Sequence, residues 1–103
     1  MSLIPRFRTV ARAEAACAHA WYEERREGLG QEFMRDLETT LNAVCDQADR
    51  GQPVFGDFRR AKLERFPYAV YYVVQGEVLH VAAIHHLQRD PKRLKQRLDS
   101  FND

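Results

Sequence analysis

Hydrophobic and polar positions change their period twice along this chain. The stretch Ile4-Pro5-Arg6-Phe7-Arg8 alternates, which predicts a short strand over Leu3–Arg8, with Pro5 near its start or on an exposed edge because proline lacks a ladder donor. A helical pattern follows. Thr9 is the expected N-cap of a helix running to about Glu27, through an alanine-rich stretch of high helix propensity. Val10, Ala13, Cys17, Ala20 and Trp21 form its apolar stripe, and Gly28 suits the left-handed position that often ends a helix. After the turn Gly28-Leu29-Gly30, a second helix is expected over Gln31–Arg50. Phe33, Leu37, Leu41, Val44, Cys45 and Ala48 mark its buried face, with Glu32 and Asp36 suited to the dipole near its N-terminus and Gly51 and Pro53 as stop signals. So short a turn between two long helices folds them into an αα-hairpin.

From Arg59 the pattern alternates again. Arg59–Phe66, Tyr68–Gln75 and Val78–His86 read as three strands, with Pro67 at the first corner and Gly76 in a tight second hairpin. Tyr68, Val70, Tyr72 and Val74 share one face, and Ala69, Tyr71 and Val73 the other. The last strand is apolar on both faces, which suits a central position. Asp90-Pro91 then restarts a helix, with Asp90 as N-cap and Leu94, Leu98 and Phe101 as its docking stripe. The fold class is therefore α+β in one domain over residues 1–103. It comprises a short N-terminal strand, an αα-hairpin packed on an antiparallel sheet with a three-stranded meander, and a short C-terminal helix.

Composition narrows the setting. No apolar run is long enough to span a bilayer and the start lacks an apolar signal core, so the expected location is the cytoplasm, with no membrane partner. Cys17 and Cys45 fit no zinc or redox spacing and are expected to be buried thiols. Charge is uneven: residues 1–56 carry seven Lys/Arg against nine Asp/Glu, and residues 57–103 carry nine against six. The second half is thus the one suited to an acidic partner or a polyanion, while a net charge of +1 argues against broad nonspecific nucleic-acid binding.

Four pieces of the chain, in this order, resemble the RelE/ParE family of bacterial toxins. They are Trp21-Tyr22-Glu23-Glu24 leading into Gly28-Leu29-Gly30-Gln31-Glu32-Phe33; Arg59 to Tyr68, with Leu63-Glu64-Arg65-Phe66-Pro67-Tyr68; Tyr71-Tyr72-Val73-Val74; and Val81 to Pro91. The resemblance implies the toxin half of a type II toxin–antitoxin, plasmid-stabilisation-type module. Its partner would be an antitoxin from an adjacent gene, with which it forms a hetero-oligomer. The implied target is DNA gyrase, bound without catalysis, or, for a RelE-like member, ribosome-associated mRNA that is cut. A third alternative is a non-toxic member that serves as a binding domain. Trp-Tyr-Glu-Glu with Gly-Leu-Gly and Arg-Phe-Pro-Tyr look ParE-like. RelE-like cutters are more basic and often carry a reactive Tyr or His near the C-terminus, where this chain ends Leu98-Asp99-Ser100-Phe101-Asn102-Asp103.

Cleavage of mRNA would need a base, an acid and cations for the phosphate. Under the RelE-like alternative the candidate catalytic residues are Arg65, His86 and Arg89; a structural histidine at the Asp90-Pro91 corner is the other reading of His86. Arg59, Arg60, Lys62, Lys92 and Arg93 are the candidate contacts to a target or nucleic acid. By alternation Arg60 and Lys62 share a face, with Arg59 and Arg65 on the opposite one. His85 and His86 point to opposite faces, and His80 and His86 to the same face at long range, so no metal site or other cofactor is expected. Tyr68, Tyr71 and Tyr72 are expected in the core rather than as stacking platforms for bases.

Overall fold

A computed structural model describes residues 2–99. The elements are β1 (Ile4–Phe7), α1 (Thr9–Arg25), α2 (Leu29–Asp46), β2 (Gln52–Phe55), β3 (Phe58–Lys62), β4 (Tyr68–Gln75), β5 (Val78–His86) and α3 (Pro91–Asp99), with a 3-10 turn at Ala48–Arg50 after α2. They build one five-stranded sheet in the order β1-β5-β4-β3-β2. The β3-β4-β5 meander is antiparallel, and β1 lies parallel to β5. The helical hairpin covers one face of the sheet. Phe33, Leu37, Leu41 and Val44 pack there against Tyr68, Val70, Tyr72, Leu79, Val81 and Ile84. On the other face α3 sets Leu94 and Leu98 against Ala69, Tyr71, Ala82 and Ala83. Both strand faces are buried as alternation predicts, and β5 is interior to the sheet. Phe101, the third residue of the expected α3 stripe, lies outside the described residues.

Several boundaries differ from expectation, each for a physical reason. The sheet has a fourth antiparallel strand, β2, paired to β3 through a tight turn at Gly56 with φ +54°. Pro53, read as a stop signal, sits instead on an edge strand, where a missing donor costs no ladder bond. Strand β3 ends at Lys62, because residues 64–66 turn toward α2. There the buried Asp36 carboxylate accepts the main-chain N–H groups of Glu64 (3.2 Å), Arg65 (2.8 Å) and Phe66 (3.3 Å). Asp36 thus binds a corner of the sheet rather than serving the helix dipole. Helix α2 begins at Leu29 and ends at Asp46, inside the expected Arg50 limit.

The stripe of α1 is the largest correction. Ala11, Ala15, Ala18 and Tyr22 are buried, whereas Val10 and Trp21 are 53% and 50% exposed and Ala13, Cys17 and Ala20 also face outward. Thr9 is the first helical residue rather than the cap, and Arg8 in extended conformation precedes it without a side-chain cap. Cys45 is buried as expected; Cys17 is not. An alanine-rich helix is similarly apolar at several azimuths. The face of Ala11, Ala15 and Ala18 lets it approach closely, Tyr22 packs against Phe33 and Phe66 at its end, and Trp21 is turned out.

The hairpin turn explains the Trp-Tyr-Glu-Glu…Gly-Leu-Gly piece. The Glu23 carboxylate accepts the N–H groups of Gly28 and Gly30, each at 2.9 Å, and so satisfies donors at the start of α2 from the neighbouring helix. Gly28, with φ +88°, opens α2 rather than closing α1, which ends three residues earlier. A Cβ on Gly30 would lie 2.6 Å from the His19 carbonyl oxygen, so the two helix backbones meet there. Glu32 bridges Arg26 (2.6 Å) and Arg65 (2.8 Å).

These contacts set a pH dependence. The Gly28 and Gly30 N–H groups hold the Glu23 carboxyl below its ordinary range, and Arg65 and then Arg26 do the same for Glu32. A depressed folded-state pKa contributes stability that is present above the unfolded value of about 4.3 and is lost as pH falls through the folded value. Thermal unfolding temperature is therefore expected to fall below about pH 4.3, and the double change Glu23→Gln, Glu32→Gln to flatten that fall. An unchanged slope in the double variant would remove these two carboxylates from the account.

Candidate functional site

The outward face of α1 forms one wall of a groove. Val10, Ala13, Glu14, Cys17 and Trp21 line it on that side, with Tyr68 and Ile84 at its base and His86, Gln88 and Arg89 along the opposite rim. Strand pairing explains why it opens here. Strand β1 accompanies β5 only from Val78 to Val81. Beyond Val81 side chains take over the edge: Glu14 accepts the Ile84 N–H (3.1 Å) and Arg97 donates to the Ala82 carbonyl (3.0 Å) while pairing with Glu14. A sheet edge and an apolar helix face thus lie side by side. The Arg25 guanidinium stacks on the Trp21 ring at 3.9 Å from its centroid, leaving an apolar plate under a positive charge.

The predicted site residues do not converge. Arg65 lies in the corner after β3, so strand alternation does not apply to it; its guanidinium is held by Glu32 and it takes no part in lining the groove. His86 and Arg89 do meet at the groove rim. His86 Nδ1 accepts the Gln88 N–H at 3.1 Å, its ring lies edge-on to Tyr68, and its carbonyl accepts the Arg89 N–H at 3.1 Å, so it braces the corner before α3.

The candidate target contacts are spread widely. Arg59 donates to the carbonyls of Gly51 (2.7 Å) and Asp49 (3.2 Å), closing the end of α2 onto the sheet. Arg60 and Lys62 share a face as expected, in register with Tyr71 and Ala69. Arg60 reaches Gln52 Oε1 at 3.1 Å, and with Lys62 it lines a separate hollow beside Thr39 and Ala43. Lys92 stands exposed at the start of α3, where Asp90 Oδ1 accepts its main-chain N–H at 2.9 Å as the expected cap. Arg93 faces a third cavity on the α3 side.

Two histidine expectations separate. His85 and His86 do point to opposite faces: His86 shares the helix side with Tyr68, and His85 lies on the α3 side. His80 and His86 do not share a face. Tyr71 opposes Ala83 and Tyr72 opposes Val81, so Ala82 is an extra residue that reverses the alternation between them. Sequence reasoning passed over Glu14 and His85. An acidic residue on an alanine helix looks like solvated surface, and a histidine beside another gives no sign of which is buried.

Among the described residues no helix is long and apolar enough to cross a membrane. No family model matches the chain, and no curated protein matches it. A solved structure described as the chromosomal ParDE TA system from P. aeruginosa contains a chain of similar fold, with a TM-score of 0.76 over 84% of this chain and 98% of that one at 16% identity. The order of strand, helical hairpin, antiparallel sheet and terminal helix is thus an established architecture.

Proposed function

We propose that this chain is the toxin half of a toxin–antitoxin pair and that it acts by binding DNA gyrase rather than by cutting RNA. The fold it shares with a chain of the ParDE structure supports the first part. The observation that carries the second is the dispersal of candidate chemistry. Arg65 is tied to Glu32 and lines no part of the groove where His86 and Arg89 meet, so the three candidate catalytic residues do not converge. In this reading an antitoxin from an adjacent gene lays an apolar segment with acidic flanks along the α1–β5 groove, where Val10, Cys17 and Trp21 await cover and Arg25 and Arg89 flank them.

Purified chain added to a gyrase supercoiling reaction is expected to abolish supercoiling near stoichiometric ratio. Full supercoiling at large excess would defeat the gyrase reading. The meeting of His86 and Arg89 on one rim favours a second reading, an mRNA endonuclease. Discrete cuts in translated mRNA that vanish with His86→Ala would establish it instead.

A further inference from the structure

A cavity opens between the end of β5, α3 and Glu14 of α1, lined by Glu14, His85, Arg89, Asp90, Arg93 and Arg97. Its charges are not balanced internally. Glu14 is taken by Arg97 and by the Ile84 N–H, and Asp90 Oδ1 accepts the Lys92 N–H. Among the described residues the guanidiniums of Arg89 and Arg93 make no ion pair. The His85 side chain is 8% exposed, and its Nε2 is buried with no hydrogen-bond partner among the described residues. A buried polar atom without a partner is costly, so the arrangement asks for one.

The ring's other nitrogen identifies what that partner must be. The Arg89 main-chain carbonyl favours a proton on the ring, and because Nε2 is unpartnered that hydrogen is assigned to Nδ1. Burial pushes the His85 pKa down and favours the neutral ring, in which Nε2 presents a lone pair. The ligand must therefore carry negative charge for the two guanidiniums and a hydrogen-bond donor for Nε2. A carboxylate, a sulfate or a phosphodiester has the charge without the donor. We propose that this cavity binds a phosphate group in its protonated form, as free phosphate or a phosphate monoester, with Arg89 and Arg93 on its anionic oxygens and its P–OH donating to His85 Nε2. The inference does not rest on the gyrase reading, and the cavity adjoins the α1–β5 groove, sharing Glu14 and Arg89 with it.

The test is a titration of the full chain near pH 6, where a monoester keeps its second proton on about half the molecules. At constant ionic strength, inorganic phosphate, ribose 5-phosphate, sulfate and dimethyl phosphate are added and the His85 ring resonances followed. Phosphate or ribose 5-phosphate is expected to shift them saturably, the tighter of the two naming the source as free ion or ester. Sulfate should bind roughly tenfold more weakly and dimethyl phosphate not measurably, since each leaves Nε2 unpaired. Arg93→Gln, at an exposed position, should weaken phosphate about tenfold with an unchanged melting temperature, and His85→Phe should abolish the preference for phosphate over sulfate. Should His85→Phe not fold, Arg93→Gln and the four-anion series decide alone. Equal binding of phosphate and sulfate, or phosphate binding indifferent to Arg93→Gln, would overturn the proposal.

Discussion

Asp36→Ala is expected to destabilise the chain by roughly 3–5 kcal/mol, a large share of the roughly 5–15 kcal/mol of a typical domain. The carboxylate satisfies three main-chain donors, those of Glu64, Arg65 and Phe66, across nearly thirty residues of sequence. Alanine leaves all three without an acceptor in a region that water reaches poorly, and each buried donor so stranded costs about 1–3 kcal/mol. The Phe66 donor is buried and the other two are partly so, which places the total below the sum of three full penalties. The corner also fixes Phe66 and Tyr68 against Tyr22 and Phe33, so its loosening reaches the aromatic core of the hairpin face. Asp36→Asn should cost less, about 1–3 kcal/mol, because its amide oxygen still accepts while its NH2 opposes a donor. Urea unfolding measures both. A loss under about 1 kcal/mol for the alanine variant would mean that the corner finds other acceptors.

The same residue shows where reading the sequence stops. Asp36 lies one position from Leu37 on the clearest amphipathic helix of the chain, and periodicity placed that helix and its buried face correctly. Periodicity carries no information about a carboxylate's partner 28 to 30 residues away, so the clamp was invisible and the dipole reading was the natural one. Strands β4 and β5 and the turn at Gly76 were legible, because their alternation and turn chemistry are local. Strand β2 was not, although Val54-Phe55-Gly56-Asp57-Phe58 carries a hairpin signal, because Pro53 masked it. The bulge at Ala82 is likewise silent in an all-apolar run, and it alone moves His80 to the face opposite His86. The candidate site suffered most. Which arginines are spoken for depends on distant acceptors such as Glu32 and the Gly51 carbonyl, and no spacing rule reports those. The misassigned stripe of α1 was the productive error. It picked out the apolar residues that face outward and passed over Ala11, Ala15, Ala18 and Tyr22, which face the core.

That outward stripe leads to the largest expected effect on binding. Trp21→Ala is expected to weaken association with the antitoxin of the proposed pair by about 2–4 kcal/mol, roughly thirty- to a thousandfold, while changing the stability of the free chain little. The ring is 50% exposed, rests edge-on against Tyr22 and carries Arg25 on its face, so it presents a rigid amphipathic surface at small ordering cost. Alanine is the best helix former, so α1 itself is preserved. Val10→Asp separates the two quantities further. Val10 is 53% exposed in the first turn of α1, which contains no acidic residue, so aspartate there favours the helix dipole and should hold or raise stability. In the complex the same aspartate would be buried against an apolar segment and should reduce affinity at least tenfold. Val74→Thr, near the Gly76 hairpin and away from the groove, is the control expected to leave binding unchanged. Calorimetric titration with the product of the adjacent gene reads affinity, and thermal unfolding of each free variant reads stability. If Trp21→Ala and Val10→Asp both bind within threefold of the parent chain, the α1–β5 groove is not the antitoxin surface. If they bind weakly and still arrest supercoiling, the groove belongs to the partner and the surface that meets gyrase lies elsewhere on the chain.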